Sequence, residues 1–122
     1  MRFLSVIKSN ENFGAPPKAL EDAIGRMVED GLKDGSLVET GGLAPTSAGA
    51  RVRISGRKLS VTDGPFTESK EVIGGYAIFE YPSKREAIDA TVRFMELHRQ
   101  HWPEWDGECE LRELVFFAAG NA

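Results

Sequence analysis

The densest run of reactive and turn-forming residues is Asp63-Gly64-Pro65-Phe66, followed by Thr67-Glu68-Ser69-Lys70-Glu71 and closed by Gly74-Gly75. Asp63 has the chemistry of a general base or a ligand anchor, and Arg51 or Lys70 could hold an anionic group beside it. The same carboxylate could instead accept hydrogen bonds from nearby backbone amides and fix the turn. Glu68 and Glu71 could act as an acid–base pair. With Lys70 between them they also make a solvated ion-pair run. Gly64 can take backbone angles closed to other residues, and Pro65 fixes its own φ while steering Gly64 away from helical geometry. One defined backbone shape follows, and it suits a binding site or a subunit contact.

Other candidates lie outside this run. His98 and His101 are three apart on one helical face, a spacing open to two metal ligands. No Cys or His elsewhere completes a set, so no metal is assigned. The expectation is a helix-end cluster packed by Trp102 and Trp105, with the imidazoles near the last carbonyls. Cys109 falls in a strand pattern and is expected to be buried and inert. Gly64, Gly74 and Gly75 match neither a Walker spacing nor a dinucleotide fingerprint, and no Gly-x-Ser-x-Gly elbow occurs. No cofactor is assigned. Phe66, Tyr76 and Phe79 could line a small pocket.

Composition narrows the classes. A chain of 122 residues with 41% apolar and 28% charged residues can bury a core as one domain spanning 1–122. A net charge of −4 offers no general footprint for nucleic acid. Arg51, Arg53, Arg57 and Lys58 form a local basic cluster that suits a solvated strand edge. One cysteine excludes an internal disulfide, and no apolar run is long enough for a signal peptide or a bilayer span. A reducing cytoplasmic location is expected, with no membrane partner.

The positioning elements follow from periodicity. Residues 2–8 are apolar on both parities, as in a strand covered on two faces. Pro16-Pro17 opens a helix whose stripe is Leu20, Ala23, Ile24, Met27, Val28 and Leu32, stopped by Gly35. Leu37-Val38 starts a short strand, and Thr40 to Pro45 carries loop signals. With Gly56-Arg57 as a type II′ turn, Val52 faces Val61 and Ile54 faces Leu59, so every apolar residue shares one side. A strand over 76–81 precedes Pro82. Ser83 and Glu86 form a capping box for a helix running to about His101, with Ala87, Ala90, Thr91, Phe94 and Leu97/His98 buried. Residues 109–117 suit a last strand. The order β-α-β-(hairpin)-β-α-β predicts an α+β ferredoxin-like fold with two helices on one face of an antiparallel sheet. The apolar second face, with Val52 and Ile54 assigned to it, predicts a homodimer joined sheet to sheet.

Thr62-Asp63-Gly64-Pro65-Phe66-Thr67-Glu68-Ser69-Lys70-Glu71 followed by Gly74-Gly75-Tyr76 resembles the signature of the YCII-related family, in its DGPF subgroup. The likeness spans nearly the whole chain. It implies a dimeric α+β-barrel type of ferredoxin-like fold, found in small bacterial proteins, often with a genomic link to an alternative sigma factor. Some members of the wider group were proposed to be enzymes on the strength of a histidine in the first helix, and this chain has no histidine before His98. Three functional readings follow. One is a homodimeric module that binds or senses an unknown small molecule, with Arg51, Asp63, Gly64, Phe66, Glu68, Lys70, Glu71, Tyr76 and His98 around the ligand. Another is a cofactor-free enzyme with Asp63 as base. In the third, the motif only builds the dimer.

Overall fold

The computed structural model describes residues 1–66 and 71–115. In chain order its elements are β1 (Arg2–Ser9), α1 (Lys18–Asp34), β2 (Leu37–Gly42), β3 (Ala50–Ser55), β4 (Lys58–Asp63), β5 (Val72–Glu80), α2 (Lys84–His101) and β6 (Gly107–Glu113), with short 3-10 turns at Glu11–Phe13 and Thr46–Ala48. Four strands form one antiparallel sheet in the order β2-β5-β1-β6. Each β-α-β unit therefore skips one strand, which is the ferredoxin-like arrangement. The α+β expectation holds.

The register assigns the two faces. Phe3 pairs with Phe79 and Ser5 with Ala77 on the side that meets Leu37, Val28 of α1 and Ala87 of α2. Leu20 and Ala87 are fully enclosed there. Burial of a side chain the size of Leu20 contributes about 1.5–3 kcal/mol. On the opposite side Leu4 pairs with Ile78 and Val6 with Tyr76. These four are half-buried, and no helix among the described residues covers them.

Both helix boundaries follow local chemistry. Gly35 ends α1 with φ of 83°, in the left-handed region that favours glycine. Ser83 caps α2, its hydroxyl oxygen accepting from the Glu86 amide at 3.2 Å and donating to the Glu86 carboxylate at 3.0 Å. The α1 stripe departs from expectation at its end, where Leu32 is 53% exposed. Gly31 turns inward in its place, because the Leu37 Cβ lies only 2.9 Å from where a Gly31 Cβ would be.

The strands correct the sequence in four places. β2 continues through Thr40, Gly41 and Gly42, which were expected to be loop; Gly41 pairs with Tyr76 and Gly42 with Gly75. The Tyr76 ring lies against Gly41, so the absence of a side chain there permits the pairing. β5 likewise takes in Gly74 and Gly75 and ends at Glu80. β6 starts earlier, at Gly107, and stops at Glu113. Residues 116 and 117 of the expected last strand lie outside the described residues.

The fourth correction concerns the hairpin. Its register is as expected, with Val52↔Val61 and Ile54↔Leu59. Its turn differs, because Gly56 and Arg57 both have positive φ, at 56° and 69°. Positive φ at both central residues is the type I′ pattern, which matches the right-handed twist of the strands. β3 and β4 form a separate two-stranded sheet. Val52 and Ile54 therefore do not belong to the open face of the main sheet.

Candidate functional site

The signature turn is built onto a second turn. Glu11 accepts hydrogen bonds from the Thr46 amide at 2.8 Å and the Thr46 hydroxyl at 2.7 Å. These bonds, the amide's first, hold the Glu11 carboxyl below its ordinary range. The Thr46 carbonyl accepts from the Gly49 amide, and the Gly49 carbonyl accepts from the Gly64 amide, each at 2.9 Å. Gly64 is pressed so closely on this turn that a Cβ would overlap the Thr46 carbonyl oxygen. The guanidinium of Arg51 sits over the Phe66 ring, 4.1 Å from its centroid. Glu11, Thr46, Gly49, Gly64, Arg51 and Phe66 thus make one brace between the first loop, the β2–β3 connection and the end of β4.

Asp63 is exposed at the end of β4, opposite Ala50. It is not enclosed as a tuned base would be. Glu68 and Lys70 lie outside the described residues. Glu71 is exposed just before β5, and its charge adds to the forces that raise the Lys8 pKa, the largest being the Glu110 hydrogen bond. The structure therefore brings Arg51, Gly64 and Phe66 together, with Asp63 next in chain, and places Tyr76 and His98 elsewhere.

Tyr76 lies on the open face of the sheet, where its hydroxyl donates to Glu39. That hydrogen bond is the main cause that raises the Tyr76 pKa, aided by burial and the Glu39 charge. His98 is buried at the end of α2. Its Nδ1 is 3.0 Å from the Phe94 carbonyl oxygen, and its ring centroid is 4.6 Å from that of Trp105. Burial pushes its pKa down, against the pull of the Phe94 hydrogen bond. The expected aromatic packing at the helix end is present, with Trp102 and Trp105 stacked at 6.2 Å. Among the described residues no three His, Cys, Asp or Glu side chains cluster as metal ligands would.

A concavity suited to a ligand lies elsewhere. A cavity of about 700 Å³ separates the helix pair from the sheet. Ile24, Met27 and Val28 of α1, Phe94 of α2 and Ala77 of β5 supply apolar walls, Ser5, Thr91 and Cys109 bring polar atoms, and Asp30, Asp34 and Arg93 place charges at its border. This size and this lining are those of a small-molecule site. Tyr76 borders the cavity; His98 lines a separate groove between α2 and β6. Sequence reasoning passed over the cavity because its residues look like ordinary core. The available signal was the small side chains at helix-facing positions, Ser5, Gly75 and Ala77, which leave space above the sheet.

Cys109 shares the wall of both spaces and donates to the Met95 sulfur at 3.5 Å. Burial raises its pKa to about 11, against a hydrogen bond with Ser5 that pulls it down. The thiol is therefore protonated at neutral pH, in keeping with the inert reading, although Cys109 is half-buried and not buried as expected. A folded pKa about 2 units above the ordinary thiol value leaves roughly a hundredfold less thiolate. Alkylation by iodoacetamide at pH 7.5 is expected to be at least that much slower in the native protein than in urea. Equal rates in the two states would contradict the assignment.

Comparison with known proteins supplies the kinship. The family described as YCII-related domain matches residues 1–94, from β1 into the middle of α2. An uncharacterized protein of Rhizobium meliloti (strain 1021) is 40% identical over 90 residues, which is 74% of this chain and 68% of that protein. The chain belongs to the YCII-related family.

Proposed function

We propose that this YCII-related protein, of the DGPF subgroup by its signature, is a homodimeric small-molecule binding or sensing module of the cytoplasm. Its ligand is an uncharged, largely apolar molecule held in the cavity between the helix pair and the sheet. One observation carries this reading: a cavity of about 700 Å³ with apolar walls and the Ser5 and Thr91 residues at its edge. Thr91 donates its own hydroxyl proton to the Ala87 carbonyl at 2.9 Å, so its oxygen is left to accept from a ligand. Most of the wall is apolar in spite of Asp30, Asp34 and Arg93 at the border, and a charged ligand would lose its hydration against it, a cost that an uncharged one avoids. The signature turn, where the sequence suggested the pocket, serves here as the brace of the loops. The homodimer is supported by the uncovered row Leu4, Val6, Tyr76 and Ile78.

A thermal-shift screen of uncharged aromatic and alicyclic compounds, with charged analogues of each, tests the reading. A ligand at a hundred times its Kd stabilises the native state by about 2.7 kcal/mol. In a chain of this size that is a rise in Tm of roughly 5–15 °C. Uncharged compounds are expected to give such shifts and their charged analogues none. Shifts from charged compounds alone, abolished by Asp63→Ala, would move the site back to the turn.

A further inference from the structure

The β3–β4 hairpin displays an apolar row that none of the described residues covers. Val52, Ile54, Leu59 and Val61 are 65%, 74%, 69% and 68% exposed, and the register places them as two facing pairs on one side. Neither strand pairs with the main sheet. A two-stranded hairpin alone is marginal in water, so this one needs a surface to rest on. From its exposure the row presents roughly 450 Å² of apolar surface, a patch at the size that marks interaction sites on monomers.

Charge indicates which surface. Residues 50–63 hold Arg51, Arg53, Arg57 and Lys58 against Asp63 alone, within a chain of net charge −4. Arg51 is engaged with Phe66, so Arg57 and Lys58 make the tip of the hairpin basic, while the rest of the chain is more acidic than its total. On the open face of the sheet, Glu108 and Glu110 of β6 pair with Lys8 and Val6, and Glu39 stands beside Tyr76. Glu110 is already bridged by Lys8 at 2.7 Å and Arg112 at 3.2 Å, so Glu108 on one side and Glu39 on the other make the acidic border. The apolar row Leu4, Val6, Tyr76 and Ile78 therefore has acidic neighbours on both sides. One chain carries both halves of a complementary pair, as a two-fold interface requires.

We propose that the β3–β4 hairpin is an arm that lies across the open sheet face of a second copy of this chain. The inference rests on the homodimer reading above and specifies its contact. Two reciprocal arms, each burying roughly 450 Å² of its own surface and as much of the partner, give about 1,800 Å² in total, within the range of stable interfaces. Val52, Ile54, Leu59 and Val61 meet Leu4, Val6, Tyr76 and Ile78, while Arg57 and Lys58 at the tip meet the acidic border.

The test compares the wild type with the double substitution Ile54→Lys and Leu59→Lys by sedimentation equilibrium. Both positions are solvent-exposed in the single chain, so helix content by circular dichroism should be kept. The wild type is expected to be a dimer, and the variant's dimer Kd to rise at least a hundredfold. A wild-type dimer whose variant dissociates no more readily overturns the arm and leaves the homodimer standing. A monomeric wild type overturns both, and its binding to phosphatidylglycerol vesicles would assign the basic hairpin to a lipid surface. A second measurement is independent of the variant's folding. In mixed dimers with one copy isotope-labelled, intermolecular nuclear Overhauser effects should link the Ile54 and Leu59 methyls to those of Leu4, Val6 and Ile78. Their absence in a confirmed dimer overturns the arm.

Discussion

Replacing Gly64 with alanine is expected to destabilise the protein by about 1–3 kcal/mol, the cost of forcing an extra carbon into a packed site. The added Cβ overlaps the Thr46 carbonyl oxygen, and Thr46 cannot retreat freely because both its amide and its hydroxyl are bound to Glu11. The displaced turn also strains the Gly64 amide bond to the Gly49 carbonyl. Gly74 supplies the control. A Cβ at that position meets nothing within 4 Å, so Gly74→Ala should be close to neutral although it lies in the same signature. Urea unfolding of the two variants measures the difference. Equal midpoints would mean that the brace contributes nothing.

The second large effect is on binding. Ala77 lies on β5 with its side chain toward the helices, half-buried and bordering the cavity. In a close-packed core, Ala77→Phe would overfill the space and cost about 1–3 kcal/mol. Over an open cavity of about 700 Å³ the ring has room. The variant should therefore keep or exceed the wild-type Tm while ligand affinity falls at least a hundredfold, as read by isothermal titration with an uncharged compound from the screen. A lower Tm with affinity intact would show that the ligand sits elsewhere.

The fold was legible because periodicity and register act locally. The stripe from Leu20 to Val28, the capping pair Ser83 and Glu86, and the alternation on either side of Gly56-Arg57 each dictate an element without help from the rest of the chain. The misplacements in β2 and β5, and the missed inward face at Gly31, share one cause. Gly31, Gly41, Gly42, Gly74 and Gly75 carry no side chain, so a reading based on hydrophobic pattern misses the inward helix face at Gly31 and sees loop where the other four make strand. The site was legible only in part. Asp63, Gly64, Pro65 and Phe66 drew notice by type and spacing, and Gly64 does hold a tight contact. The brace from Glu11 to Thr46 joins residues 35 apart in sequence, and nothing in the chain marks it in advance. The cavity was hidden for the opposite reason, since its apolar walls have the residue types of any core.

The central claim is where the ligand sits, and a methyl-resolved NMR titration with an uncharged compound from the screen tests it most directly. The account predicts saturable shifts at the methyls of Ile24, Met27, Val28 and Ala77, with Val52, Ile54, Leu59 and Val61 of the hairpin unmoved by the ligand. Shifts centred instead on the 61–72 turn, leaving Ile24 and Ala77 unchanged, would contradict it.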